Sequence, residues 1–271
     1  MRITSPKNPR VKNVIRLRQR RHRDAQQRTV VEGLREIRLA LEAGVIPLEA
    51  FVCPERLDAP EARSLLGQLE RLAQEGPTRL YQVTPEVFAR LAYREESGGL
   101  LLVIPYLERS LADLPLGEPP FLAVVEGAEK PGNLGAILRT GDAAGVDGLI
   151  LCGGTDVHNP NVIRASLGAV FTVPVAQVAS GEAIAWLQKK GVAILAATPE
   201  GDVLYTEADL TGPVAIVTGS EAHGLSRPWL QAAARRITIP MFGKVDSLNL
   251  SAATAVLLYE VVRQRGLAPG P

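Results

Sequence analysis

FLAVVEGAEKPGNLGAILRTGDAAGVDGLILCGG, Phe121 to Gly154, is the stretch whose reading decides the fold. It opens on an unbroken apolar run, turns through glycines, takes up a helical register from Leu134 to Ala144, and closes on a second apolar run, GLILCG. Strands without polar alternation are buried on both faces, as in a parallel sheet covered by helices. Downstream, FTVPVAQV, VAILAAT, PVAIVTG and RITIP read as further strands, with helices expected at Asn161 to Leu167, Glu182 to Lys190, Arg227 to Ala234 and Leu248 to Gln264. The fold class is therefore α/β, a mainly parallel sheet with helices on both faces. Ligands of such sheets bind beyond the carboxyl ends of the strands.

Upstream lies a second, smaller α/β unit. VVEGLREIRLALEAG reads as a strand end and an amphipathic helix, LEAFVCP as a strand, ARSLLGQLERLAQEG as a helix, RLYQV as a strand, TPEVFARLA as a capped helix and GGLLLVI as a last strand. The proline-rich LERSLADLPLGEPP then reads as a linker. The expected domains are residues 1–106, a linker at 107–120, and 121–271.

A net charge of +1 over 271 residues hides an asymmetry: Met1 to Arg28 holds ten Lys or Arg against the single acid Asp24. Such a block is the footprint of a polyanion. Arg10, Lys12, Arg16, Arg20 and Arg23 are its candidate contacts with a nucleic acid, the last three at helical spacing. No aromatic in the block offers a base a stacking surface, so it promises affinity without base specificity. No apolar run approaches a membrane span of roughly 20 residues, and no apolar h-region follows the basic start, so a cytoplasmic protein is expected. Cys53 and Cys152 lie far apart among apolar residues, outside any CxxC pair, and read as small buried side chains. His158 has no second histidine at ligand spacing, so no metal is expected.

Polar residues and glycines gather after three of the apolar strands, in EGAEKPGNLGAILRTGDAAGV, VTGSEAHGLS and IPMFGKVDSLNLSAATAVLLYE. Glycines there permit tight turns and close approach to a ligand. GxGxxG, GxxxxGK[ST] and GxSxG are all absent, which removes the dinucleotide, P-loop and nucleophile-elbow readings.

In order and spacing the three segments resemble the motifs of the SpoU (TrmH-like) family of SPOUT RNA methyltransferases. Asn133 and Arg139 stand in the first, Gly219, Glu221 and Gly224 in the second, and Ile239, Pro240, Ser247, Leu248 and Asn249 in the third. VVEGLREIRLAL resembles the start of that family's substrate-binding domain, a unit similar to ribosomal protein L30; SGGLLLVI departs from the usual glutamine-glycine pair before the last strand. The resemblance implies a deep trefoil knot, a homodimer, S-adenosylmethionine as cofactor, and methylation of a ribose 2′-hydroxyl. The RNA implied is ribosomal first and transfer RNA second, with a non-catalytic RNA-binding protein of the same fold as the alternative. Carried over, Gly219, Ile239 and Leu248 present backbone groups to the cofactor, Arg139 steadies the developing alkoxide, Asn133 orients Arg139 or Glu221, and Ser247 and Asn249 fix the loop; Thr198, after the strand VAILAAT, is a further candidate for the same pocket. A guanidinium stays protonated, so phosphate, water and Glu221 remain open as proton acceptors. Singly, Asp246 or Ser247 also reads as the cap of the last helix, Asn249 as a residue bonding within its first turn, Glu221 as a loop charge and Arg139 as a surface residue.

Overall fold

The computed structural model describes residues 1–93 and 97–266. It forms two compact units, residues 1–107 with 156–172, and 108–155 with 173 onward.

In the first unit the chain runs through β1 (Arg2–Ile3), α1 (Pro9–Arg16), α2 (Arg20–Gln26), β2 (Arg28–Glu32), α3 (Leu34–Glu42), β3 (Glu49–Val52), α4 (Pro60–Glu75), β4 (Arg79–Val83), α5 (Pro85–Leu91) and β5 (Leu100–Pro105). The sheet order is β1-β4-β3-β5-β2, with β5 antiparallel to both its neighbours and the other pairs parallel. Thr84 caps α5 by accepting the Val87 N–H at 3.4 Å, and Pro85 occupies its first turn, where a missing N–H costs nothing. One face of the sheet buries Phe51, Tyr81, Val83 and Leu101 under Val11, Val14 and Leu17 of the basic stretch and Val87, Phe88 and Leu91 of α5.

The basic stretch is thus part of the folded core. Arg2–Ile3 adds a strand to the sheet edge, pairing Arg2 with Gln82 and Ile3 with Val83. Arg16 ends α1 and Arg20 begins α2, so the arginines expected on one helical face are divided between two helices.

The second unit opens with β6 (Phe121–Glu126), α6 (Pro131–Ala144) and β7 (Gly148–Cys152). The next helices, α7 (Pro160–Ala165) and α8 (Ala169–Thr172), belong to the first unit. The second then continues with β8 (Val175–Gln177), α9 (Ser180–Lys189), β9 (Ala193–Ala197), β10 (Val203–Leu204), β11 (Val214–Thr218), α10 (Arg227–Ala232), β12 (Arg235–Thr238) and α11 (Leu250–Arg265). Its seven strands, ordered β10-β12-β9-β11-β6-β7-β8, are all parallel. Ala183, Leu187 and Trp229 of α9 and α10 pack on Val124, Ile150, Ala196 and Val217, while α6 and α11 pack together, α6 on β7 and α11 on β11. The tail of α11 is tied to the start of the domain, because Arg265 donates to the carbonyls of Pro119, Pro120 and Gly212 at 2.6–3.0 Å and lies over the Phe121 ring.

Two expectations need correcting. The stretch read as a linker folds with the second unit, with Leu111 and Leu114 buried in its core. The expected strand FTVPVAQV is strand only at Val175–Gln177; Phe171 and Thr172 end α8, and Pro174 separates the two.

Asp156–Thr172 packs on β2 and α3 of the first unit and is tied to it by a buried ion pair. Arg23, 2% exposed, donates from Nη2 to Asp156 at 2.5 Å and from Nη1 to the Leu17 and Arg18 carbonyls. Thr29 donates to the His158 carbonyl, and the His158 ring stacks on Tyr106 at 3.7 Å. Arg23 is therefore withdrawn from the candidate RNA face, because its guanidinium is enclosed and already paired. Burial pushes the Asp156 carboxyl up, but hydrogen bonds from His158 and Arg23 outweigh it and hold the group at about 2.

Replacing Arg23 with Ala strands a buried carboxylate and is expected to cost about 3–5 kcal/mol, read by urea denaturation at neutral pH. The folded pKa lies below the ~3.9 of an unfolded aspartate, so the pair stabilises fully above that value and fades as pH falls towards 2. The gap between wild type and variant should narrow over that window; a gap that stays constant would contradict the assignment.

Candidate functional site

The carboxyl ends of β9 and β12, with the loop that leads into α11, enclose a cavity of about 490 Å³. Thr198 and Pro199 follow β9 on one side, and Ile239, Pro240, Met241, Ser247 and Leu248 follow β12 on the other. Ile237 and Ala253 add apolar wall, and Thr198, Thr238 and Ser247 add hydroxyls. The size and mixed lining suit a small organic ligand with an apolar body and a few polar groups.

Beside it the three glycine-bearing loops meet on one carboxylate. Glu221 accepts from Lys130 Nζ at 2.6 Å, from Asn133 Nδ2 at 3.1 Å, from Asn249 Nδ2 at 2.6 Å and from the Leu250 N–H at 3.4 Å. Asn249 also donates to Asn133 Oδ1 at 3.1 Å, while its own Oδ1 accepts the Ser251 N–H and caps α11. The Lys130 hydrogen bond, then the Leu250 N–H, hold the Glu221 carboxyl below the ordinary glutamate range, so it stays ionised near neutral pH. Glu129, Lys130, Asn133, Glu221 and Leu250 line a second recess of about 220 Å³.

The loop around Glu221 closes through glycine. A Cβ on Gly219 would collide with the Gly224 carbonyl, and Gly224 itself sits at φ +63°. Glu126, at the end of β6, braces the same loop from below: its carboxylate accepts the Ser226 N–H at 2.7 Å and the Ser226 and Ser180 hydroxyls at 2.7–2.8 Å.

Thr198, Ile239, Ser247 and Leu248 thus line the larger cavity, and Asn133, Glu221 and Asn249 form the junction beside it. Ser247 makes no hydrogen bond among the described residues, so the loop is fixed by Asn249 and Glu221 without it. Arg139 stands exposed on α6, lines neither cavity, and forms no hydrogen bond or ion pair with any described residue. Lys130 and Glu126 were not anticipated. Lys130 sits three residues before Asn133 within the first motif, and only that placement hints at its role. In the first unit, Arg10 is paired with Glu49 at 2.6 Å and Arg20 with Asp24 at 3.4 Å, whereas Lys12 and Arg16 are exposed and unpaired among the described residues.

A parallel α/β domain that gathers its polar loops at the strand ends, around a cavity for a small organic ligand, defines the class of protein. The particular family follows from comparison. Residues 120–259 match the SpoU rRNA methylase family, and residues 8–102 match the MRM3-like substrate-binding domain. The chain is 43% identical over 148 residues to a 23S rRNA (guanosine-2′-O-)-methyltransferase of Shewanella oneidensis, an alignment that takes in 54% of this chain and 60% of that protein. A crystal structure of an RNA 2′-O ribose methyltransferase is 41% identical, covers 98% of this chain and 100% of its own, and superposes with a TM-score of 0.83. The rRNA methyltransferase of Sinorhizobium meliloti, crystallised with bound S-adenosylmethionine, is 30% identical with 97% of both chains covered and a TM-score of 0.88. The chain belongs to the SpoU rRNA methylase family.

Asn249→Asp keeps the acceptor that caps α11 but replaces the donor to Glu221 with a second carboxylate. The variant is expected to melt below wild type at pH 7 and to recover part of the loss below about pH 5, where one of the two carboxyls takes a proton. A pH-independent melting difference would show that the contact with Glu221 contributes nothing.

Proposed function

We propose that this chain transfers a methyl group from S-adenosylmethionine to a ribose 2′-hydroxyl in ribosomal RNA. The observation that carries the reading is the junction of Asn133, Glu221 and Asn249 beside the cavity that Thr198, Ile239 and Leu248 line. The cavity fits the cofactor: Ile237, Ile239, Leu248 and Ala253 supply apolar wall for adenine and the methionine methylenes, and Thr198 and the loop backbone supply polar partners. When bound, the cofactor supplies a methyl group already activated on a sulfonium.

The chain's own residues then have to place the hydroxyl and help it lose its proton. Arg139 carries a permanent forked charge that no described residue of this chain neutralises, suited to a developing alkoxide and a neighbouring phosphate. Glu221 is a poor proton acceptor here, because both its oxygens are engaged by donors and its carboxyl is held low. It acts as a clamp, and the proton passes to water or to a phosphate oxygen of the substrate. Ser247, on the cavity wall, is available to hold the ribose. Lys12 and Arg16, exposed on the first unit, are left for the RNA, whereas Arg10 and Arg20 are already paired with Glu49 and Asp24.

Two further features belong to this reading. The chain forms a homodimer through α6 and α11: Ala252 and Tyr259 are exposed on α11, with Val256 half-buried between them, and Ala143 is exposed on α6. An apolar stripe of that kind is characteristic of an interface. The backbone forms the family's trefoil knot, and the protein works in the cytoplasm; no helix of the described residues is long and apolar enough to cross a membrane.

Incubation with methyl-labelled S-adenosylmethionine and total RNA is expected to label ribosomal RNA at an alkali-resistant linkage; label on a base or on transfer RNA overturns the substrate. Arg139→Lys is expected to lower the rate about 100-fold or more with cofactor affinity unchanged. Retention of most of the rate would remove Arg139 from the reaction. Tyr259→Asp is expected to yield monomers by light scattering, and an unaltered dimer would place the interface elsewhere.

A further inference from the structure

We propose that a groove on the first unit, walled by the start of the chain, α1 and the end of α5, binds the phosphodiester backbone of the RNA substrate. The proposal rests on the RNA reading above and says where and how the strand is held. The recess, about 460 Å³, is lined by Pro6, Lys7, Lys12, Ile15, Arg16 and Arg90. Four of the six are cations and none is an acid. All four are exposed, and none of their side chains forms a hydrogen bond or ion pair with a described residue.

What sets these four apart is how the structure treats the basic residues around them. Arg10 is taken by Glu49 and lies over Tyr81. Arg18 donates to the carbonyls of Arg90, Leu91 and Ala92 at the end of α5 and lies over Tyr93. Arg20 is taken by Asp24, and Arg23 is buried against Asp156. The fold supplies partners for the cations it uses structurally and leaves the groove's own to solvent. Like charges held around one recess repel, and a polyanion relieves that repulsion while releasing its counterions.

The cations are also held in place beforehand. Val11 and Val14 anchor α1 in the core, and Arg18 pins the last turn of α5, which carries Arg90. Lys12 and Arg16 lie one helical turn apart on the same side of α1. Pro6 and Ile15 offer small apolar contacts, and the lining holds no aromatic ring on which a base stacks. The groove therefore reads backbone and not sequence, leaving the choice of nucleotide to the second unit. Of the basic residues singled out in the sequence, only Lys12 and Arg16 reach this groove; Lys7 and Arg90 were not foreseen.

The test uses the full chain and a fragment of ribosomal RNA. Binding is measured against salt concentration for wild type and two double variants, Lys7→Gln with Lys12→Gln and Arg16→Gln with Arg90→Gln. Each is expected to make the slope of log K against log salt shallower by about 1–2, in proportion to the number of phosphates no longer neutralised. Each should also raise the KM for RNA about tenfold, leaving kcat, cofactor affinity, melting temperature and the nucleotide methylated unchanged. Arg71→Gln with Arg79→Gln, outside the groove, removes the same charge and should keep the wild-type slope. An unchanged slope in both groove variants overturns the proposal, as does an equal change in the Arg71 and Arg79 variant. A shift in the methylated nucleotide overturns the claim that the groove is blind to sequence. Should wild type bind RNA with the expected slope yet methylate none, the groove stands and the methyltransferase reading fails.

Discussion

Two oxygens of one side chain tie together the strand-end segments of the second unit. Glu221 receives donors from Lys130 and Asn133 at the start of α6 and from Asn249 and Leu250 at the start of α11, while it belongs itself to the loop after β11. Each hydrogen bond to an ionised acceptor is stronger than a neutral one, and a missing partner would leave charge poorly compensated. Three segments far apart in sequence are thereby brought to one point. Glu126 does the same one level down, joining the end of β6 to the starts of α9 and α10 through Ser180 and Ser226. The cavity beside the junction depends on the Glu221 clamp, since most of its lining is loop that runs into Asn249.

The alternation of strand and helix was legible because long apolar runs leave few other readings. Arg2–Ile3 and Val203–Leu204 were not, since two residues carry no period to detect. The break between α1 and α2 was hidden too, because Leu17–Gln19 contains neither glycine nor proline. Arg23 looked like a free cation for want of any local clue: its partner, Asp156, lies 133 residues away. The strand-end loops were readable as a site because asparagines and glycines after apolar strands have little to do in a core. Lys130 and Glu126 passed unnoticed because their roles depend on neighbours that only the sheet order brings close.

The first unit shows how a charge count divides on folding. Met1 to Arg28 reads as a uniformly basic block, yet its side chains serve different ends: Arg18 caps a helix, Arg23 secures a segment, and Lys7, Lys12 and Arg16 stay in solvent. The number of basic residues in a stretch is thus an upper limit on the unpaired cations it offers a partner.

Arg265 has a consequence for how the protein is made. Its guanidinium holds the carbonyls of Pro119 and Pro120, about 145 residues earlier, and Asn249 reaches Asn133 across 116 residues. During vectorial synthesis the first of these groups leaves the ribosome long before the last, and nothing local can stand in for the missing partner. The nascent chain can complete the first unit's central sheet early, but the loops of the second stay unjoined until α11 has emerged. An immature chain therefore has no finished pocket in which to begin chemistry.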